Sequence, residues 1–190
     1  HVPRLRSTVS SWVRNLTGVE FICPAVRLWM SFDPKAPAAF REIAAIRHLR
    51  WLHIDPSGPV PGDGLPCPSI DAISKCRRLE HLELGTRTRL SPNGSPLFLG
   101  TGKTLTPLHV NGEHLRVISE LSSLRVLVIG GPGISDGSLD SLANLRQLEY
   151  LYLHRTRLTE DGLARLRKLL QNVEIVEMND RSRDYWDEID

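Results

Sequence analysis

A six-residue pattern, L-x-x-L-x-L, recurs along the chain and restricts the possible folds more than any other feature. The leucines at its fourth position, Leu127 and Leu151, are 24 residues apart, and a looser copy places Val176 another 25 residues on. Periods of about 20 to 50 residues are typical of proteins that stack one structural unit on the next. The copies lie at 16–21, 49–54, 79–84, 105–110, 124–129, 148–153 and 173–178, and those at 16–21 and 105–110 are the weakest.

A helical stretch follows the strand-like pattern within each unit. In the best-defined unit, leucines recur every third residue from Leu139 to Leu145, which indicates one apolar helical face. Ser135 or Asp136 can cap the start of this helix and Thr159 the start of the next, because a side-chain oxygen there accepts from free backbone N–H groups. Helices are predicted at 38–48, 69–78, 113–120, 134–145 and 158–169.

Stacking is required because one strand with one helix cannot bury its own apolar face. Leucine occupies 29 of the 190 positions, which is the enrichment that a stacked leucine core needs. An ordinary parallel sheet with helices on both faces would instead need strands rich in Val and Ile. The sequence therefore predicts an α/β solenoid in which the strands form one parallel sheet.

The segments 134–139 and 157–163 give the pattern a family resemblance. They read ISDGSL and RLTEDGL, and with the strands that follow they resemble the leucine-rich repeat family, in the subtype found in bacterial and F-box-associated proteins. The resemblance implies a right-handed horseshoe of about six to seven repeats, with a parallel sheet on the concave face and helices on the convex face. It also implies that the concave sheet binds another protein. The disulfide-bonded cap of extracellular members is absent, which favours an intracellular location.

The repeats organise the chain as a single domain over residues 1–190. Residues 1–15 are predicted to form an N-terminal cap helix, and the charged tail 179–190 is predicted to close the other end, because a solenoid exposes its core at both ends. The repeats occupy 16–178. Two segments rich in Pro and Gly, 56–68 and 86–104, are predicted to be loop insertions, because Pro lacks the N–H that helices and sheets use.

Composition excludes several classes of function. The net charge is +2, which gives no reason to expect a nucleic-acid partner. No apolar run approaches the roughly 18 residues of a membrane span. The three cysteines, Cys23, Cys67 and Cys76, form no C-x-x-C pair and so indicate no zinc site. Cys67 and Cys76 could form a disulfide or remain free thiols, of which free thiols are the simpler interpretation. No cofactor is expected, and the chain is expected to be a monomer on its own.

Candidate binding residues emerge when the repeats are aligned. Side chains alternate between the two faces of a strand, so residues between the inward leucines point to the concave face. The central column then reads Glu20, His53, Glu83, His109, Val128, Tyr152 and Glu177, and Ile175 falls in the column before it. The candidate contacts are Trp51, His53, His81, Glu83, His109, Tyr150, Tyr152 and His154.

These residues favour a non-enzymatic module that binds a protein or peptide, because Trp and Tyr are frequent anchors of interfaces. One alternative is a metal-dependent site formed by His53, Glu83 and His109, since imidazole and carboxylate are zinc ligands. A second alternative is a structural subunit that is docked permanently in a larger assembly through Val126, Val128 and Ile175.

Overall fold

The computed structural model describes residues 26–32, 43, 46, 48–56, 65–67, 70–85, 88–90, 96–98 and 108–178. Its strands are β1 (Val26–Phe32), β2 (Leu49–Pro56), β3 (Leu65–Pro66), β4 (His81–Leu84), β5 (Thr88–Leu90), β6 (Pro96–Phe98), β7 (Leu108–Asn111), β8 (Val126–Gly133), β9 (Tyr150–His154) and β10 (Glu174–Met178). Its helices are α1 (Gly112–Ile118), α2 (Glu160–Leu169) and two 3₁₀ helices, Asp71–Lys75 and Asp136–Asn144.

The main sheet has eight strands within the described residues, and six of them lie side by side and parallel in the order β1, β2, β4, β8, β9, β10. The strand pairing aligns one core position of each repeat into a single row across this sheet. That row is Leu28, Leu52, Leu82, Leu127, Leu151 and Ile175. Its five leucines are at most 2% exposed and pack with helical residues such as Ile73 and Leu142 in one core. The described part of the chain is therefore a leucine-rich-repeat solenoid with an open parallel sheet on one side and helices on the other.

The first strand of this sheet is not the one that the repeat pattern predicts. The pattern at 16–21 lies outside the described residues, and β2 pairs instead with Val26–Phe32. In β1, Leu28 takes the place that a repeat leucine would occupy, opposite Leu52.

The repeat pattern at 105–110 does not place a strand between β4 and β8 in the sheet. β4 pairs directly with the first half of β8, and β7 pairs with the second half, where His109 lies opposite Gly130. Glycine permits this approach, because a Cβ on Gly131 would lie 2.8 Å from the His109 Cα, and Gly131 has a φ of +117°. β7 and its partner β3 thus extend the sheet beyond the end of β4.

Both predicted loop insertions contain strands. Leu65–Pro66 pairs with β7, and Thr88–Leu90 pairs with Pro96–Phe98 as an antiparallel hairpin. These segments are therefore not loop throughout. The predicted caps at 1–15 and 179–190 lie outside the described residues.

Four of the predicted helices are shorter than predicted, and two of these are 3₁₀ helices. The predicted helix at 38–48 lies largely outside the described residues. Leucines repeat every third residue from Leu139 to Leu145, which matches the three residues per turn of a 3₁₀ helix better than the 3.6 of an α-helix. α2 keeps the α-helical period, because Leu166 and Leu170 are buried and Leu169 is 38% exposed. None of the helices in the described ranges is long and apolar enough to cross a bilayer.

The two described cysteines are buried free thiols. Burial raises the pKa of Cys67 to about 12 and that of Cys76 to about 11. Cys76 Sγ donates to the Ile43 carbonyl at 3.7 Å. Both side chains belong to the main core, so they act there as small apolar groups.

Candidate functional site

Two complete rows of side chains cross the concave face, which is the face of the sheet away from the helices. Alternation along the strands places both rows opposite the leucine core. The first row is Arg27, Trp51, His81, Val126, Tyr150 and Glu174. The second row is Trp29, His53, Glu83, Val128, Tyr152 and Val176. A third, partial row contains His154, which lies opposite Gly130.

The last strand is shifted by one residue from the predicted register. Ile175 pairs with Leu151 and packs against the main core, and Val176 pairs with Tyr152 on the concave face. The prediction that Ile175 and Glu177 face the concave side is therefore wrong. A shift of one residue exchanges the two faces of a strand, which explains why both positions change together.

Acids and imidazoles alternate at the first four positions of the predicted central column, from Glu20 to His109, and the structure brings one pair of them together. Glu20 lies outside the described residues, and the neighbour of His53 on that side is Trp29. His109 lies opposite Gly130 in β8, whereas the row of Glu83 continues to Val128. His53, Glu83 and His109 therefore do not form the proposed metal site. Within the described ranges, no group of three or more His, Cys, Asp or Glu residues could hold a metal ion.

The remaining pair, His53 and Glu83, is fully buried. His53 Nδ1 donates to Glu83 Oε2 at 2.6 Å, and both side chains are 0% exposed. The His53 ring lies between Trp29 and Trp51, with ring centroids 4.5 Å and 5.9 Å away. Adjacent strands bring these residues together, because Trp51 and His53 are alternate residues of β2 and Trp29 is opposite His53. A buried, partnered pair of this kind supports the shape of the face and is not open to a ligand.

Accessibility divides the eight predicted contact residues into two groups. His53, Glu83, Tyr152 and His154 are buried, at 3% exposure or less. The half-buried group is Trp51, His81, His109 and Tyr150. Three of these four belong to the first row, whose end residues Arg27 and Glu174 are exposed. Apart from the buried Val126, the first row is therefore the accessible strip of the concave face.

Aromatic contacts hold the first row in place at both ends. The Arg27 guanidinium lies 5.5 Å from the centre of the Trp51 ring, within the range of a cation–π contact. Tyr150 stacks on Tyr152 with ring centroids 6.4 Å apart and planes 8° apart. Tyr152 packs with Val126, so the second row supports the first from behind.

His81 occupies the middle of the first row. Its Nδ1 is buried and makes no hydrogen bond within the described ranges. Burial lowers the pKa of His81, and of the charges nearby Glu80 and Glu149 raise it while Arg125 and Arg27 lower it further. His81 is accordingly a neutral imidazole at neutral pH.

Charged side chains border the first row and neutralise one another. Arg50 Nη1 lies 3.2 Å from Glu80 Oε1. Arg125 donates from Nε and Nη2 to the two carboxylate oxygens of Glu149, at 2.8 and 2.9 Å. Since each charge on this border has a partner of opposite sign, the border adds little net field to the strip.

Four residues of the face were missed by the sequence interpretation, namely Arg27, Trp29, Glu174 and Val176. The alternation of Val26, Leu28 and Met30 was the available signal for β1, because alternating apolar residues are typical of a half-buried strand.

The structure does not contain the apolar face that was predicted for permanent docking in a larger assembly. Val126 and Val128 are at most 3% exposed, and Ile175 points to the other side of the sheet, so the three form no exposed patch.

Comparisons with known proteins give similar structures only. No family model matches the sequence, and no curated protein matches it. An internalin (inlF) from Listeria monocytogenes is 17% identical with a TM-score of 0.47, and the match covers 80% of this chain and 33% of that one. An internalin C2 (inlC2) of the same species is 19% identical with a TM-score of 0.43, and the match covers 72% of this chain and 45% of that one. A leucine-rich repeat protein of Leptospira interrogans is 16% identical with a TM-score of 0.39, and the match covers 77% of this chain and 34% of that one.

The chain thus spans less than half the length of each of these three structures. At these identities and TM-scores the similarities carry no argument about function. The assignment of the fold rests on the leucine row, the parallel strands and the helices described above.

Proposed function

We propose that this chain is a non-enzymatic module that binds a protein or peptide partner along the first row of its concave face. The observation that carries the proposal is the half-buried set Trp51, His81 and Tyr150 in one row, on β2, β4 and β9, with the buried Val126 of β8 between His81 and Tyr150. Trp and Tyr contribute much of the binding energy in many interfaces, because they bury a large area and keep a polar atom for hydrogen bonding.

The eight candidate residues have different roles in this proposal. Trp51, His81 and Tyr150 contact the partner directly, and His109 contributes at the far end of β8. The buried residues His53, Glu83, Tyr152 and His154 fix the positions of the contact residues. A rigid surface loses less conformational entropy when it binds, so buried support of this kind favours affinity.

The test compares the parent protein with the double variant Trp51→Ala/Tyr150→Ala. Both are immobilised and exposed to a lysate of the source organism, and a captured protein is purified and titrated by calorimetry. We expect at least a tenfold loss of affinity, since truncating an interface anchor costs about 2 kcal/mol or more. The matched control is Arg146→Ala, because Arg146 is exposed on the turn before β9 and belongs to neither row of the face. Equal affinity of the double variant and the parent would contradict the proposal, provided that both unfold at similar temperatures.

A further inference from the structure

The first row has opposite charges at its two ends. Arg27 is exposed on β1 and Glu174 is exposed on β10, and neither forms an ion pair within the described ranges. The inner charges of the neighbouring border are already paired, as Arg50 is with Glu80. The strip is therefore polarised from end to end.

The length of the row sets the size of a matching ligand. Six strands are separated by five spacings of about 4.8 Å, so Arg27 and Glu174 are about 24 Å apart along the sheet. An extended peptide rises about 3.3 to 3.4 Å per residue, so about seven residues span this distance.

The centre of the row is apolar and aromatic. Trp51 and Tyr150 offer ring surface on either side of the buried Val126, and His81 is held neutral by its burial. A charged side chain placed here would lose hydration without gaining a partner, which is costly. Apolar or small residues therefore match the centre.

From this arrangement we infer that the partner presents an extended segment of about seven residues, with an acidic residue at one end, a basic residue at the other and apolar residues between them. The acidic end lies at Arg27 and the basic end lies at Glu174. The Arg27 guanidinium faces Trp51 with one side and remains available to a carboxylate. This inference rests on the proposed function and specifies the chemistry of the partner.

The test uses three heptapeptide libraries with five varied apolar or small residues at the centre. The mixed library has Asp at one end and Lys at the other, in both orders, whereas the double-basic library has Lys at both ends and the double-acidic library has Asp at both. Each is panned at low salt against the parent protein and two charge reversals. We expect the parent to favour the mixed library, Arg27→Glu the double-basic library, and Glu174→Arg the double-acidic library, each by about three- to fivefold, as is usual for exposed charge pairs.

Two further variants make the outcome decisive. The double reversal Arg27→Glu/Glu174→Arg restores the preference for the mixed library, because the two ends are again opposite in sign. The control Arg146→Glu changes net charge by the same amount as Arg27→Glu and is expected to leave the parental preference intact, since Arg146 lies on the turn before β9 and not in the first row.

The two proposals fail in different ways. Suppose that Trp51→Ala/Tyr150→Ala abolishes peptide binding while every charge variant shows the same library preference as the parent. The charge inference is then overturned and the proposed function survives. If binding, or its absence, is the same in the parent and in Trp51→Ala/Tyr150→Ala, both are overturned.

Discussion

The buried contact between His53 and Glu83 provides the sharpest test of how the concave face is built. If both groups are charged, their separation of 2.6 Å gives an attraction of about 6 kcal/mol at an effective dielectric of about 20. Desolvation of each buried ion costs several kcal/mol, so the two terms nearly cancel while the pair is intact. They stop cancelling when one partner is removed. Glu83→Gln keeps the shape of the side chain and removes its charge, and we expect it to lower the free energy of unfolding by about 3 to 5 kcal/mol.

A second variant separates the charge effect from packing. His53→Phe/Glu83→Met replaces both polar groups by apolar ones of similar volume, and the new ring still lies between Trp29 and Trp51. Because neither charge is then buried, we expect the free energy of unfolding of this variant to lie within about 1 kcal/mol of the parent's, or above it. This double variant and its two single variants, His53→Phe and Glu83→Met, together form a thermodynamic cycle.

Urea unfolding followed by tryptophan fluorescence and by circular dichroism measures each free energy. Agreement of the two signals shows that the transition is two-state, which the comparison of free energies needs. A loss of only about 1 kcal/mol in Glu83→Gln would show a hydrogen bond between neutral groups and refute the ion-pair reasoning. A double variant as unstable as the sum of its single changes would refute the claim that desolvation dominates.

Three further predictions concern the core, the repeat junction and pH. Leu127→Ala, in the centre of the leucine row and 0% exposed, is expected to cost about 3 to 5 kcal/mol in urea unfolding, and a loss below 1 kcal/mol would contradict its place in the core. Gly162→Ala is expected to destabilise the protein although Ala favours helices, because the new Cβ would overlap Asp136 Oδ1. The control is Gly137→Ala, which is expected to be neutral or stabilising because no atom lies within 4 Å of its new Cβ. His81 has a folded-state pKa below its ordinary 6.5, so the unfolded chain binds the extra proton first and stability falls as pH drops below about 6.5. His81→Gln is expected to flatten this decline, and an unchanged slope in thermal unfolding between pH 7 and 5 would count against it.

The repeat pattern predicted most of the main sheet correctly. In β2, β4 and β9 polar or aromatic residues alternate with the two core positions and admit only one frame, so both faces followed from the sequence. β8 is apolar in both frames, and its register followed from the repeat spacing of Leu127 and Leu151. β10 was ambiguous, because Val173, Ile175 and Val176 offer apolar residues in either frame. A strand with apolar residues in both frames does not determine its own register from sequence.

The arrangement around β7 depended on contacts that a repeat pattern does not contain. Leu108 and Val110 are buried as a repeat strand would be, yet β7 pairs beyond β4 because β8 continues through Gly130 and Gly131. Burial of the second row was equally hidden, because alternation predicts which face a side chain points to and not how far that face is covered.

The segment that suggested the family resemblance also explains how one repeat fixes the next. Asp136 does not serve only its own helix: its carboxylate accepts from the Thr159 N–H at 3.0 Å and from the Thr159 hydroxyl at 2.7 Å. Thr159 Oγ1 in turn accepts from the Gly162 N–H at 3.0 Å and so caps α2. These bonds hold the pKa of Asp136 below its ordinary value. The acidic residue, the hydroxyl and the glycine therefore act together across the junction of two repeats.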